Sequence, residues 1–128
     1  MKKSRKIIFI VFLILIILIA SIIFFLFYGK SETLNLTIND VNLSQKSDGK
    51  YTGEYVKGRF NYKVEVIVRN NKIESIKILN QTSTSYLNAL DIIIKRVIEK
   101  QSLNVNVVTG ATATSKGLLK AIENALKK

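Results

Sequence analysis

The chain has 128 residues, a formal net charge of +11, and neither cysteine nor histidine. Without cysteine there is no disulfide, no iron–sulfur cluster, no thiol chemistry and no lipid-modified N-terminal Cys. Without histidine there is no common haem ligand, no imidazole base and no Ser–His hydrolysis, so a redox role requires a bound organic cofactor.

Lys2, Lys3, Arg5 and Lys6 make a positive start, and Ile7 to Phe27 follows as 21 residues without a charge. A helix of that length covers about 31 Å, the thickness of a bilayer core. Tyr28 stands where an interfacial aromatic is favoured. A cleaved signal has a shorter apolar core and then a small-x-small site. Here Phe25-Leu26-Phe27-Tyr28-Gly29-Lys30 ends the run instead. Residues 1–30 therefore read as a basic start and an uncleaved anchor in the cell membrane. The basic cluster precedes the span, so the N-terminus is expected in the cytoplasm and residues 31–128 outside. Five of the 20 basic residues (Lys2, Lys3, Arg5, Lys6 and Lys30) lie in that N-terminal part, which leaves residues 31–128 with 15 basic and 9 acidic residues, net +6. These charges are scattered, which suits a solvated surface or an anionic membrane or wall and argues against nucleic acid.

Residues 31–47 are polar with sparse apolar positions. The alternation of Leu34, Leu36 and Ile38 fits a short strand, and the composition fits a linker. Asp48-Gly49 signals a turn. Lys50 to Val56 then reads as a strand. Phe60, Tyr62, Val64, Val66 and Val68 alternate as a half-buried strand. Asn70-Asn71 suits a tight turn, and Lys72 to Leu79 returns, its Ile73-Ile76-Ile78 spacing predicting a bulge. Gln81 to Ser85 is a polar loop. Tyr86 to Lys100 is predicted helical, with Leu87, Leu90, Ile94 and Val97 on one face and Tyr86, Ile93 and Ile98 widening it. Gln101 to Val108 is an extended connector. The last helix is expected to bury Leu118, Leu119, Ile122, Ala125 and Leu126. The sum is an α+β domain over residues 48–128: a twisted antiparallel sheet with two packed helices, preceded by one N-terminal transmembrane helix.

The most informative stretch is Thr109-Gly110-Ala111-Thr112-Ala113-Thr114-Ser115, small and hydroxyl-rich, leading into that last helix. The first N–H groups of a helix lack partners and the dipole favours an anion there. Thr109, Thr112, Thr114 and Ser115 can each donate to a phosphate, and one could form a phosphoester with it. The alternative is that Thr114 or Ser115 merely caps the helix, a role worth about 1 kcal/mol. Tyr51, Tyr55, Tyr62 and Tyr86 fit core or edge packing better than stacking on a ligand. Asp48, Glu54 and Glu65 are isolated carboxylates, and no metal-ligand cluster is visible.

The order of these features resembles the FMN-binding domain family. The resemblance rests on Asp48-Gly49-Lys50-Tyr51-Thr52-Gly53-Glu54, the hairpin, Lys72 to Ile78, Gln101 to Val105, and Val108 to Ser115. It covers roughly residues 48–127. The family includes the C subunit of the sodium-translocating NADH:quinone oxidoreductase, the G subunit of the Rnf complex and small membrane-anchored proteins. It implies FMN joined through its phosphate to a motif threonine by a flavin transferase outside the membrane. It also implies electron exchange with membrane redox proteins or a quinone pathway. Carried onto this chain, the acceptor is Thr112, with Thr114 second. Thr109, Gly110, Ala111 and Ser115 shape the seat, and Gln81 to Ser85 faces the cofactor. Asn106 stands where the family motif usually begins with Asp. The alternative reading is a flavin-free anchored binding module of the same fold, and a further one is a reductase with non-covalent FMN.

Overall fold

The computed structural model describes residues 1–81 and 87–127, and for Gln81 and Leu87 the backbone only. Helix α1 (Lys2–Phe27) is followed by a short helix α2 (Lys30–Leu34) and a 3-10 turn (Leu43–Gln45). Strands β1 (Gly49–Lys57), β2 (Phe60–Arg69) and β3 (Lys72–Gln81) form one antiparallel sheet in the order β1-β2-β3. Helices α3 (Leu87–Lys100) and α4 (Thr112–Leu126) complete the chain. The expected α+β architecture is present.

Helix α1 buries none of its residues, and its most apolar 18-residue window has a mean hydropathy of 3.6. It is long and apolar enough to cross a membrane.

The hairpins follow from local chemistry. Both turns have two residues, because Lys57 pairs with Phe60 and Arg69 with Lys72. Asn70 and Asn71 both take positive φ (54° and 59°), as a type I′ turn needs. Gly58, at φ 56°, takes the first position of the other turn, where type II′ needs glycine. The predicted bulge is at Glu74: Ile67 pairs with Ser75 and Val68 with Ile73, so Glu74 has no opposite partner. A second bulge leaves Leu79 unpaired and 44% exposed.

Strand β2 supplies the centre of the core, with Tyr62, Val64, Val66 and Val68 all buried on one face. Against them α4 packs Leu118, Leu119, Ile122, Ala125 and Leu126, as the spacing predicts. In α3 the buried stripe is Leu90, Ile93 and Val97, while Ile94 and Ile98 sit at its margin. Leu90 and Val97 are buried as predicted, whereas Ile93 and Ile94 exchange places: Ile93, expected at the edge of the face, is fully buried, and Ile94 is at its margin. Apolar residues at 92, 93 and 94 allow several 3.6-residue stripes, and contact with α4 and β3 decides among them.

Residues 31–47 form neither a strand nor a free tether. After α2 the chain runs along α4, where Lys116 Nζ donates to the Leu34 carbonyl (2.7 Å) and Lys120 Nζ to that of Thr37 (3.3 Å). The Asp40 carboxylate accepts from Ser102 Oγ (2.6 Å) and Leu103 N (3.0 Å), and Leu43 is buried in the core. The ammonium groups and the carboxylate satisfy backbone groups that a strand would have paired with a neighbour.

Two carboxylates make this arrangement sensitive to acid. Burial pushes the Asp40 carboxyl up, but the hydrogen bonds from Ser102, Leu103 and Val41 and the Lys100 charge outweigh it and hold it below the ordinary 3.8. Burial likewise pushes Glu123 up, and Lys120 (2.8 Å) and Lys127 (3.0 Å) bring it below the ordinary 4.5. Groups depressed in the folded state stabilise it fully above their unfolded values and stop doing so as pH falls through the folded ones. Circular-dichroism melts of the full chain in detergent are expected to hold steady from neutral pH down to about the unfolded values and to fall below them. Asp40→Asn is expected to flatten that fall, and a melt with no acid limb counts against both assignments.

Candidate functional site at the start of helix α4

The turn before α4 closes with Ala111 N donating to the Val108 carbonyl (2.9 Å). Gly110 takes φ 82°, a left-handed conformation that favours glycine, and a Cβ placed there would meet nothing within 4 Å. Among the described residues, the space over Gly110 is therefore open. The first rung of the helix ladder is Ser115 N to Ala111 O (2.9 Å). The amides of Thr112, Ala113 and Thr114 precede that rung and carry the positive end of the helix dipole.

The capping alternative is not what the structure adopts. The N-cap is Ala111, and no side chain caps the helix. Thr114 and Ser115 lie inside the first turn and are buried. Ser115 Oγ donates to Ala111 O (2.7 Å) and accepts from Val108 N (3.2 Å), so it braces the turn from below. Thr114 is hydrogen-bonded to the Tyr62 hydroxyl. Burial raises that phenol above its ordinary value, and the Thr114 bond and the Arg59 charge offset part of the rise.

The motif hydroxyls thus divide into two sets. Thr109 is exposed and Thr112 half-exposed, while Thr114 and Ser115 are turned inward. Asn106 is exposed, and its carbonyl accepts from Arg96 Nη1 at 2.7 Å. An open cleft of about 390 Å³, lined by Arg96, Glu99, Lys100, Val105 and Asn106, lies beside the connector and includes the motif only at Asn106. The anion seat is a helix start on the surface. It fits a phosphate: among the described residues, open space over Gly110, amides ahead of the helix ladder, and two threonines that are not buried meet in one turn.

The tyrosines pack, as expected. Tyr51 donates to the Ser47 carbonyl (2.7 Å), Tyr55 shares a hydrogen bond with Thr33 Oγ1 (2.7 Å), and Tyr62 is buried under α4. Tyr86 and residues 82–85 of the polar loop lie outside the described residues. Tyr62, expected only as a packing residue, and Gly117, which the sequence did not single out, both support the site. A Cβ on Gly117 would lie 2.6 Å from the Tyr62 ring, so this glycine lets the ring reach beneath the first turn.

Fold and site together define a small sheet-and-helix domain with a glycine turn and hydroxyl residues at the start of its last helix, behind one long apolar N-terminal helix. A family model for the FMN-binding domain matches residues 56–127, and the chain belongs to that family. The matched stretch runs from β1 through the whole motif to the end of α4. No curated protein matches the chain.

Proposed function

We propose that this protein is a membrane-anchored electron carrier whose FMN is joined by a phosphoester to Thr112, with its domain outside the cytoplasmic membrane. The observation that carries the reading is the division of the motif hydroxyls: Thr112 is accessible at the open end of the helix, and Thr114 is buried on Tyr62. Thr109, the Gly110 turn and the first amides of α4 hold the phosphate, and Ser115 keeps the turn in shape. Bound FMN supplies one- and two-electron chemistry, so the chain itself needs no catalytic acid or base. In the transfer the Thr112 oxygen attacks the FMN phosphorus of FAD, the pyrophosphate bond breaks, AMP leaves and the hydroxyl proton is released; the ester then keeps the flavin from diffusing away. The basic residues in the first turns of α1, ahead of its apolar run, support a cytoplasmic N-terminus. The partners of this reading are a flavin transferase and membrane redox proteins or a quinone pathway.

The test is to produce the full chain together with a flavin transferase and to measure intact mass and in-gel flavin fluorescence after denaturation. A single FMN increment that stays with the polypeptide is expected. A second reading, a flavin-free anchored binding module, is favoured by Asn106, which lacks the carboxylate usual at that position. An unaltered mass in the presence of the transferase selects that reading and overturns the first. Flavin released on denaturation selects non-covalent FMN.

A further inference from the structure

The end of α1 is seated on the β1–β2 turn. A Cβ on Gly58 would lie 2.4 Å from the Tyr28 carbonyl oxygen and 2.9 Å from its ring. A Cβ on Gly29 would lie 2.7 Å from Lys57 Cγ and 2.9 Å from the Lys57 carbonyl. Two glycines, both at positive φ, thus let two backbones touch. Lys57 Nζ pairs with Glu32 (2.9 Å) and lies 5.6 Å from the Tyr28 ring centroid. The hairpin tip is therefore held against the residue that ends the apolar run.

Helix α4 points the same way. Gly53 lies against Ala121 and Ala125, whereas Gly117 lies against Tyr62 and Tyr55. Passing from Gly53 to Tyr55 along β1 leads toward the tip. Passing from Ala125 to Gly117 leads toward the start of α4. The start of α4 and the hairpin tip are consequently at one end of the domain. Lys116 confirms this by reaching the Leu34 carbonyl at the end of α2. The Asn70-Asn71 turn is at the other end of β2, about 30 Å away at 3.3 Å per residue.

That same end carries the groups a bilayer surface accepts. Val56 is 55% exposed, Arg59 is exposed at the tip, and Lys30 follows the span directly. The geometry points to a membrane-facing end: Val56, Arg59 and the start of α4 lie on the anionic headgroup layer of the bilayer that holds α1. Basic residues near such a surface are attracted to it, and this attraction adds to the anchor. The placement rests on the reading of α1 as a span. Taken with the proposed function, it sets the Thr109–Thr112 seat at the bilayer surface, so its partners are met in the plane of the membrane.

The absence of cysteine makes the test clean. Thr109→Cys and Asn71→Cys are each labelled with a fluorophore in the full chain, made without flavin transferase. The protein is reconstituted in vesicles of phosphatidylcholine and phosphatidylglycerol carrying headgroup nitroxides. Strong quenching at position 109 and little at 71 is expected. Equal quenching, or more at 71, overturns the proposal. Arg59→Glu is expected to weaken quenching at 109 in these vesicles, and no change removes the headgroup contact. Gly58→Ala, which pushes against the Tyr28 carbonyl, is expected to weaken it further. A label at Ser21→Cys, read with acyl-chain nitroxides, tests the span itself. Flavin attachment is read separately by mass, so failure of the carrier reading leaves this result standing.

Discussion

Gly53→Ala is expected to lift α4 from the sheet and to lower the melting temperature of the domain by more than Gly110→Ala does. The new Cβ would stand 2.2 Å from Ala125 N, 2.3 Å from Ala121 O and 2.6 Å from Ala125 Cα. All three are backbone atoms, so no rotamer change relieves the clash. The helix must move, and its buried face contributes Leu118, Ile122 and Leu126 to the core. Its second tie to β1, from Asn124 Nδ2 to the Glu54 carbonyl (2.9 Å), goes with it. Overpacking against side chains costs about 1–3 kcal/mol, and a backbone collision lies at or beyond the top of that range. At roughly 4–8 °C per kcal/mol for a domain of this size, the expected fall is on the order of 10–20 °C. Gly110→Ala is the control. It meets nothing within 4 Å and suffers only from its positive φ, a strain of about 1–2 kcal/mol. Circular-dichroism melts in detergent compare the two. A Gly53→Ala protein that melts within a few degrees of the parent contradicts the packing described.

Much of the fold was legible because its signals are local. Alternation from Phe60 to Val68, the Asn-Asn turn and the broken spacing at Ile73 and Ile76 each specify backbone geometry within a few residues. The motif was legible because glycine at a turn and hydroxyls at a helix start have few other uses together. What was not legible depends on distant partners. The path of residues 31–47 is set by Lys116 and Lys120, some 80 positions away in the sequence. Glu123 gives no hint that two lysines fold over it. Gly53 and Gly117 act by lacking side chains, which leaves no periodic trace. The start of α4 at Thr112 could not be separated from one at Thr114 or Ser115, since each of these residues can either cap a helix or open its first turn.

Thr112→Val and Thr114→Val are expected to fail in opposite ways, and the contrast tests the proposal that the Thr112 hydroxyl carries the flavin. Thr112 is half-exposed, so exchange of its hydroxyl for a methyl group leaves stability within about 0.5 kcal/mol, as for other surface positions. If its oxygen is the ester oxygen, the variant made with a transferase carries no FMN mass and shows no fluorescence on denaturation. Thr114 is only 5% exposed and holds the hydroxyl of Tyr62, itself 2% exposed. Thr114→Val leaves that phenol buried without its partner, at a cost of about 1–3 kcal/mol. It also raises the Tyr62 phenol further, because burial then acts without the offset from Thr114, and ultraviolet titration reads this directly. Addition of Tyr62→Phe removes the stranded hydroxyl and is expected to recover part of the loss, the sign of direct coupling. Thr114→Val should nevertheless gain the FMN increment below its melting temperature. If Thr112→Val gains the increment and folded Thr114→Val does not, the ester belongs to Thr114 and the assignment made from accessibility is overturned.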